Sequence, residues 1–149
     1  MRFKLKSERG FTLGNLVITL SLMGILSAIA ISNITEVNDP LVDATFQINH
    51  FLKKARAEAI SDTQAVRISP VSSSRIEAQS SDGTCEDTMA AKNNLFLDLP
   101  DGASFSSTIW HVCFSQRGLA NAYLIFDIEN EEGDTKTIEV AIGGGVRIQ

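Results

Sequence analysis

The chain has 149 residues and a formal net charge of −5, room for one domain plus a membrane segment but not for two full domains. Residues 1–10 hold four of the 13 basic residues against one acid, so the rest of the chain carries 9 basic and 17 acidic side chains, a net −8. A surface that acidic excludes a general attraction for nucleic acid, whose affinity comes mainly from neutralising phosphates.

The basic leader (Arg2, Lys4, Lys6 and Arg9 against Glu8) should stay cytoplasmic, because positive flanks resist translocation. Phe11 to Ile31 then runs without a charge. As a helix that run spans about 31 Å, enough to cross a hydrocarbon core. The apolar core of a secretory signal is shorter, about 7–15 residues, so the length favours a retained helix. Ala28-Ile29-Ala30 nevertheless has the form that signal peptidase accepts, and the competing reading is a removed signal followed by a secreted domain. Ser21, Gly24 and Ala28 share one helical face, and small residues so spaced let helices approach closely in a membrane. In a plain anchor they would be incidental.

Gly10-Phe11-Thr12-Leu13, behind a short basic leader and ahead of an apolar helix, resembles the class III signal of type IV pilins and pseudopilins. The resemblance implies cleavage after Gly10 by a prepilin peptidase and N-methylation of Phe11. It also implies a helix kept in the inner membrane and later packed in a filament core. Two positions depart from that pattern. The family glutamate four residues after the new N-terminus is here Asn15. A buried carboxylate in a membrane helix costs about 2.5–3.5 kcal/mol, tolerated in the family because it neutralises a neighbour's terminal ammonium. Asn15 offers hydrogen bonds without charge, which fits a subunit at the filament tip or a polar replacement without positional meaning. Gly24 matches the family glycine that loosens the helix, but the proline expected downstream falls at Ser32.

Asp39-Pro40 is an N-cap followed by proline at the first helical position, so a helix restarts over 40–61. Leu41, Ala44, Ile48, Phe51, Leu52, Ala55 and Ala59 fall within about 100° of arc and should face a β-sheet. Val42, Phe46 and Ile60 form an off-face apolar set, to be covered by loops of the same domain or by a neighbouring subunit. Lys54-Ala55-Arg56-Ala57-Glu58-Ala59-Ile60 resembles the A-R-S-E-A-I signature of GspH/FimT-type minor pilins and pseudopilins.

Beyond Ile60 the period shortens. Strands are expected at Ala65–Ile68, Arg75–Ala78, Leu95–Leu99, Trp110–Phe114, Ala122–Ile128 and Lys136–Ile142, with a short last one at Val146–Ile148. Ser80 to Asn94 is polar and reads as a long loop carrying Cys85. Cys85 and Cys113, an even pair behind an export signal, point to one disulfide in an oxidising compartment; the alternative is two buried free thiols. A helix followed by antiparallel strands is α+β. This agrees with the type IV pilin fold that the resemblance implies: a long N-terminal helix, membrane half plus amphipathic half, packed on an antiparallel sheet.

Catalytic chemistry is not assembled. His50 lies on a polar helix face, and His111 alternates with Trp110, so one of the two should face the core and the other solvent. Neither has a zinc or nucleophile–base motif nearby. Gly143-Gly144-Gly145 follows a strand with no helix after it, and reads as a bend or close backbone approach rather than a phosphate loop. Some FimT-type pilins take up DNA through a basic C-terminal G-R-x-R element; Gly144-Gly145-Val146-Arg147 keeps only Arg147. The expected organisation is therefore a leader 1–10, a transmembrane assembly helix 11–35 with Asn15, Gly24 and Ala28, and a periplasmic domain 36–149 whose β region is 65–149. No enzyme activity, cofactor or metal is expected. The partners implied are other pilins or pseudopilins, the prepilin peptidase and the inner-membrane assembly platform. A DNA-binding competence pilin is the alternative from another class.

Overall fold

The computed structural model describes residues 12–34 and 39–149, with side chains of the first stretch given through Ser27. The charge-free run forms helix α1 (Leu13–Ile34). Thr19, Ser21 and Ser27 do not break it, because their hydroxyls donate back along the helix. Thr19 reaches the carbonyls of Asn15 and Leu16, Ser21 that of Val17, and Ser27 that of Met23, all within 2.8–3.1 Å. Such back-bonding satisfies a hydroxyl without water. Residues 39–149 make a separate compact unit.

That unit begins at Asp39. Its carboxylate accepts from the Leu41 amide at 2.9 Å and the Val42 amide at 3.4 Å, capping helix α2 (Pro40–Ser61). All seven residues of the expected stripe are buried. Thr45 joins them, its hydroxyl satisfied by the Leu41 carbonyl at 2.5 Å. Val42, Phe46 and Ile60 are exposed, so loops of the domain do not cover them.

Eight strands follow: β1 (Ala65–Ser72), β2 (Arg75–Ser81), β3 (Ala90–Asp98), β4 (Ala103–Phe105), β5 (Val112–Phe114), β6 (Leu124–Asn130), β7 (Thr135–Val140) and β8 (Val146–Ile148). They make two antiparallel sheets rather than one, in the orders β3-β2-β1-β5 and β4-β6-β7-β8. Backbone hydrogen bonds tie the two sheets together at two corners. The Phe105 amide donates to Ser73 O at 2.7 Å, joining β4 to the β1–β2 turn. At the other corner the Ala120 amide donates to Ile142 O at 2.9 Å.

The inward residues of both sheets (Val66, Ile68, Ile76, Val112 and Phe114 from one; Phe126, Ile128, Ile138 and Val140 from the other) close on the α2 stripe as one core. Trp110 stacks on Phe126 with centroids 4.1 Å apart and meets Phe105 edge-on at 5.7 Å. Trp110 is buried and His111 exposed, the alternation expected.

Several strands differ from expectation: β1 runs on through Pro70 to Ser72 and β2 to Ser81, β6 begins at Leu124 and runs to Asn130, and β7 covers Thr135 to Val140. β3 starts at Ala90, inside the expected loop, because the only residue of Ala90–Asn94 turned inward is the half-buried Lys92, so no apolar alternation marks the strand. Its pairing with β2 slips between Glu77 and Gln79. β4 was not expected, since three residues beside Pro100-Asp101-Gly102 are too few to show a period. Trp110 and His111 precede β5, where ladder pairing starts at Val112.

Candidate functional site

The expected cleavage and methylation residues Gly10 and Phe11 lie outside the described residues. Ala28 is helical, but its side chain lies outside them too. Asn15 and Gly24 stand on α1, with open space around Gly24 to 4 Å. Every large apolar side chain described on α1, from Leu13 to Leu26, is more than half exposed, so no face is set aside as polar. A helix apolar all round is one that belongs among lipid or other helices. Among the described residues no helix is long and apolar enough to cross a membrane; the span expected over 11–35 extends past the described side chains at both ends.

The helical signature has three structural jobs in the domain. Ala55 and Ala59 are fully buried, letting α2 approach the sheets. Arg56 turns to the loops: its Nε donates to Gly118 O at 2.9 Å. Gly144, with φ of +77°, sits against the same pair, where a Cβ would lie 2.7 Å from Arg56 Nε and nearer still to Gly118 O. The glycine run is thus a close backbone approach that joins the β7–β8 turn to the loop after β5. Glu58 takes the third job. Lys92 on β3 reaches Glu58 at 3.0 Å and Asp62 at 2.8 Å, and Lys54 stands 3.9 Å from Glu58. Burial works against the charge on Lys92, but its hydrogen bonds to Asp62 and Glu58 outweigh that and hold the ammonium above its ordinary range. Asp62 is held below the usual carboxylate range, by Lys92 first and by Ser61 second.

Cys85 and Cys113 are joined, with Cα atoms 5.9 Å apart. The bond ties the exposed 82–89 loop to buried β5. Arg67 also donates to Cys85 O, and Gln116 Nε2 donates to Asp82 O at 2.9 Å and Gly83 O at 3.3 Å.

Arg147 is exposed on β8, directly across the ladder from Glu139. That carboxylate is held below its ordinary value by the Tyr123 hydroxyl, which donates at 2.5 Å, and by Gln149, at 2.8 Å. Arg147 therefore faces an anion of its own domain, which offsets its attraction for phosphate. His50 and His111 are both exposed and far from any ligand set; among the described residues no group of His, Cys, Asp and Glu could hold a metal. Sequence reasoning missed Lys92 and the contact of Gly118 with Arg56. Neither carries a local signal for its partner, since that partner is brought up by the fold.

The architecture, one helix laid across antiparallel sheets behind an N-terminal apolar helix, is the α+β fold of type IV pilin-like proteins. The chain is similar to the type IV minor pilin FimU of Pseudomonas aeruginosa (strain PAO1) in two crystal forms, at 19% identity and a TM-score of 0.57 in each. The alignments cover 73% and 78% of this chain and 92% of FimU. It is also similar to the minor pseudopilin EpsH from the Type 2 Secretion System of Vibrio cholerae, at 13% identity over 72% of this chain and 96% of EpsH, with a TM-score of 0.53. Identities this low speak for the fold. No family model matches the chain, and no curated protein matches it.

Proposed function

We propose that this chain is a minor pilin or pseudopilin, a structural subunit of a type IV pilus or a type II secretion pseudopilus and not an enzyme. In this reading a prepilin peptidase cuts after Gly10 and Phe11 is methylated. The helix over 11–35 spans the inner membrane through one pass until the assembly platform moves it into a bundle with other pilins. The domain over 36–149 is periplasmic, and on the cell surface once assembled. The observation that carries the reading is α1: an uncharged helix, apolar on every described face, attached to a domain of pilin-like fold. Burial of that helix and close packing at Gly24 and Ala28 would drive assembly.

Intact mass of the membrane-purified protein tests this. Loss of residues 1–10, with or without one added methyl, supports it; loss of 1–30 would mean an ordinary secretory signal and sink it. Asn15 suggests a place at or near the tip, since a subunit with none above it has no ammonium to neutralise. If Asn15→Glu leaves the subunit's position and abundance in filaments unchanged, the tip assignment is wrong.

A further inference from the structure

We infer that the outward ridge of α2 is a contact surface for a second copy of this chain, the two helices pairing antiparallel about a twofold axis. Asp39, Asp43, Phe46, His50, Lys53 and Ala57 are all exposed. They recur at spacings of four and three, the 3.5-residue repeat that keeps one seam of a helix turned to a partner helix. At about 100° per residue each stands within about 40° of the direction opposite the buried Ile48, so the ridge points straight away from the core. Phe46 is 65% exposed, and Val42, one turn before it, is 38% exposed. An aromatic ring held mostly in water on a capped helix is a ready anchor for a partner.

The charges on the ridge select both the occupant and its direction. The N-terminal half is acidic, with Asp39 and Asp43, and the C-terminal half is basic, with Lys53. Asp39 is committed to the helix cap. Asp43 accepts from Gln47 Nε2, one turn on, at 2.9 Å. Neither Asp43 nor Lys53 enters an ion pair among the described residues, where Lys54 and Lys92 both meet Glu58. Asp43 lies three residues before Phe46, and Lys53 lies three residues after His50. An antiparallel pair that stacks Phe46 on the second copy's His50 therefore also sets Asp43 against the second copy's Lys53. Twofold symmetry makes each of these contacts twice. A parallel pair in register would set Asp43 against Asp43 and Lys53 against Lys53, which repel. The ridge is thus complementary to itself reversed. Six ridge side chains from each copy fall short of the roughly 1,200 Å² at which stable complexes begin. The pair is weak, with a dissociation constant on the order of 100 µM.

The test uses the full-length chain in detergent, with micelles in excess, and reads association by energy transfer between donor-labelled and acceptor-labelled copies. Asp43→Lys and Lys53→Asp, both at exposed positions, should each weaken pairing about tenfold, because two exposed ion pairs are lost together and replaced by two repulsions. Mixing the two variants should restore it, since each supplies the charge that the other lacks. Phe46→Ser should weaken pairing about tenfold as well. Lys136→Glu, on β7 and not on the ridge, changes the net charge by as much and should leave pairing unchanged. No association at about 1 mM, single reversals without effect, or a mixture no tighter than either variant alone overturns the inference. So does pairing that needs Lys53 but not Asp43, which would mean that the ridge meets an acidic surface of another kind. The inference does not rest on the filament reading, and the mass of the mature protein is independent of these outcomes, so the two fail separately.

Discussion

Replacing Gly144 with alanine probes the tightest junction in the domain. Its φ of +77° costs an L side chain about 1–2 kcal/mol. The added Cβ would stand 2.7 Å from Arg56 Nε, 3.0 Å from Arg56 Cζ and closer still to the Gly118 carbonyl oxygen. The guanidinium can swing aside, but the carbonyl belongs to the backbone. Relief therefore means moving one loop off the other and losing the 2.9 Å bond between Arg56 and Gly118. A hydrogen bond from a charged donor contributes about 1.5–3 kcal/mol, the lower end for a half-buried site, so the two effects together come to about 3 kcal/mol. Gly133→Ala is the control. It has φ of +87° and nothing within 4 Å, so only the backbone effect of about 1–2 kcal/mol applies. Urea unfolding of residues 39–149, a compact unit by itself, measures both. A Gly144→Ala loss no larger than that of Gly133→Ala would show that the two loops and Arg56 do not meet as described.

Two further outcomes are expected. Removing the disulfide by Cys85→Ser with Cys113→Ser frees a loop of sequence separation 28, worth about 3.5 kcal/mol in the chain-entropy model; unfolding midpoints of the two proteins under non-reducing conditions decide, and equal midpoints would count against a constraint on the unfolded chain. The pH dependence has a definite sign. Asp62 (held by Lys92, then Ser61) and Asp87 (held by the Thr84 amide, then its hydroxyl) lie below their ordinary 3.8, and Glu139 lies below 4.5. A lowered carboxylate contributes stability above its unfolded value and loses it as pH falls through the folded value. Melting temperature should therefore hold from neutral pH to about 4.5 and fall below it; a flat curve down to about pH 3 would mean these contacts do not persist in solution.

Much of the fold was legible in local chemistry. Asp39-Pro40 marked the start of α2 because capping and a fixed proline φ act within a few residues. The buried stripe from Leu41 to Ala59 was legible because a helix in a globular domain must hide one face. The alternation of Trp110 and His111 was readable for the same reason. Ala90–Asn94 was not, since the one residue it turns inward is a lysine, Lys92, whose acidic partners lie on α2 and at its end. Ala103–Phe105 was too short to declare itself. Arg56 was picked out by its motif, but its partner Gly118 lies 62 residues on, and no local pattern names it.

By itself, then, the sequence determined what depends on neighbours along the chain: an uncharged helix, a capped amphipathic helix, and an acidic, strand-rich remainder. Only the tertiary structure decided that the strands split into two sheets, that Gly144 and Gly118 meet over Arg56, and that Arg147 faces Glu139. Those are contacts between residues distant in the chain. Their partners are chosen by how one buried stripe closes the core, and nothing in a residue's own sequence surroundings carries that information.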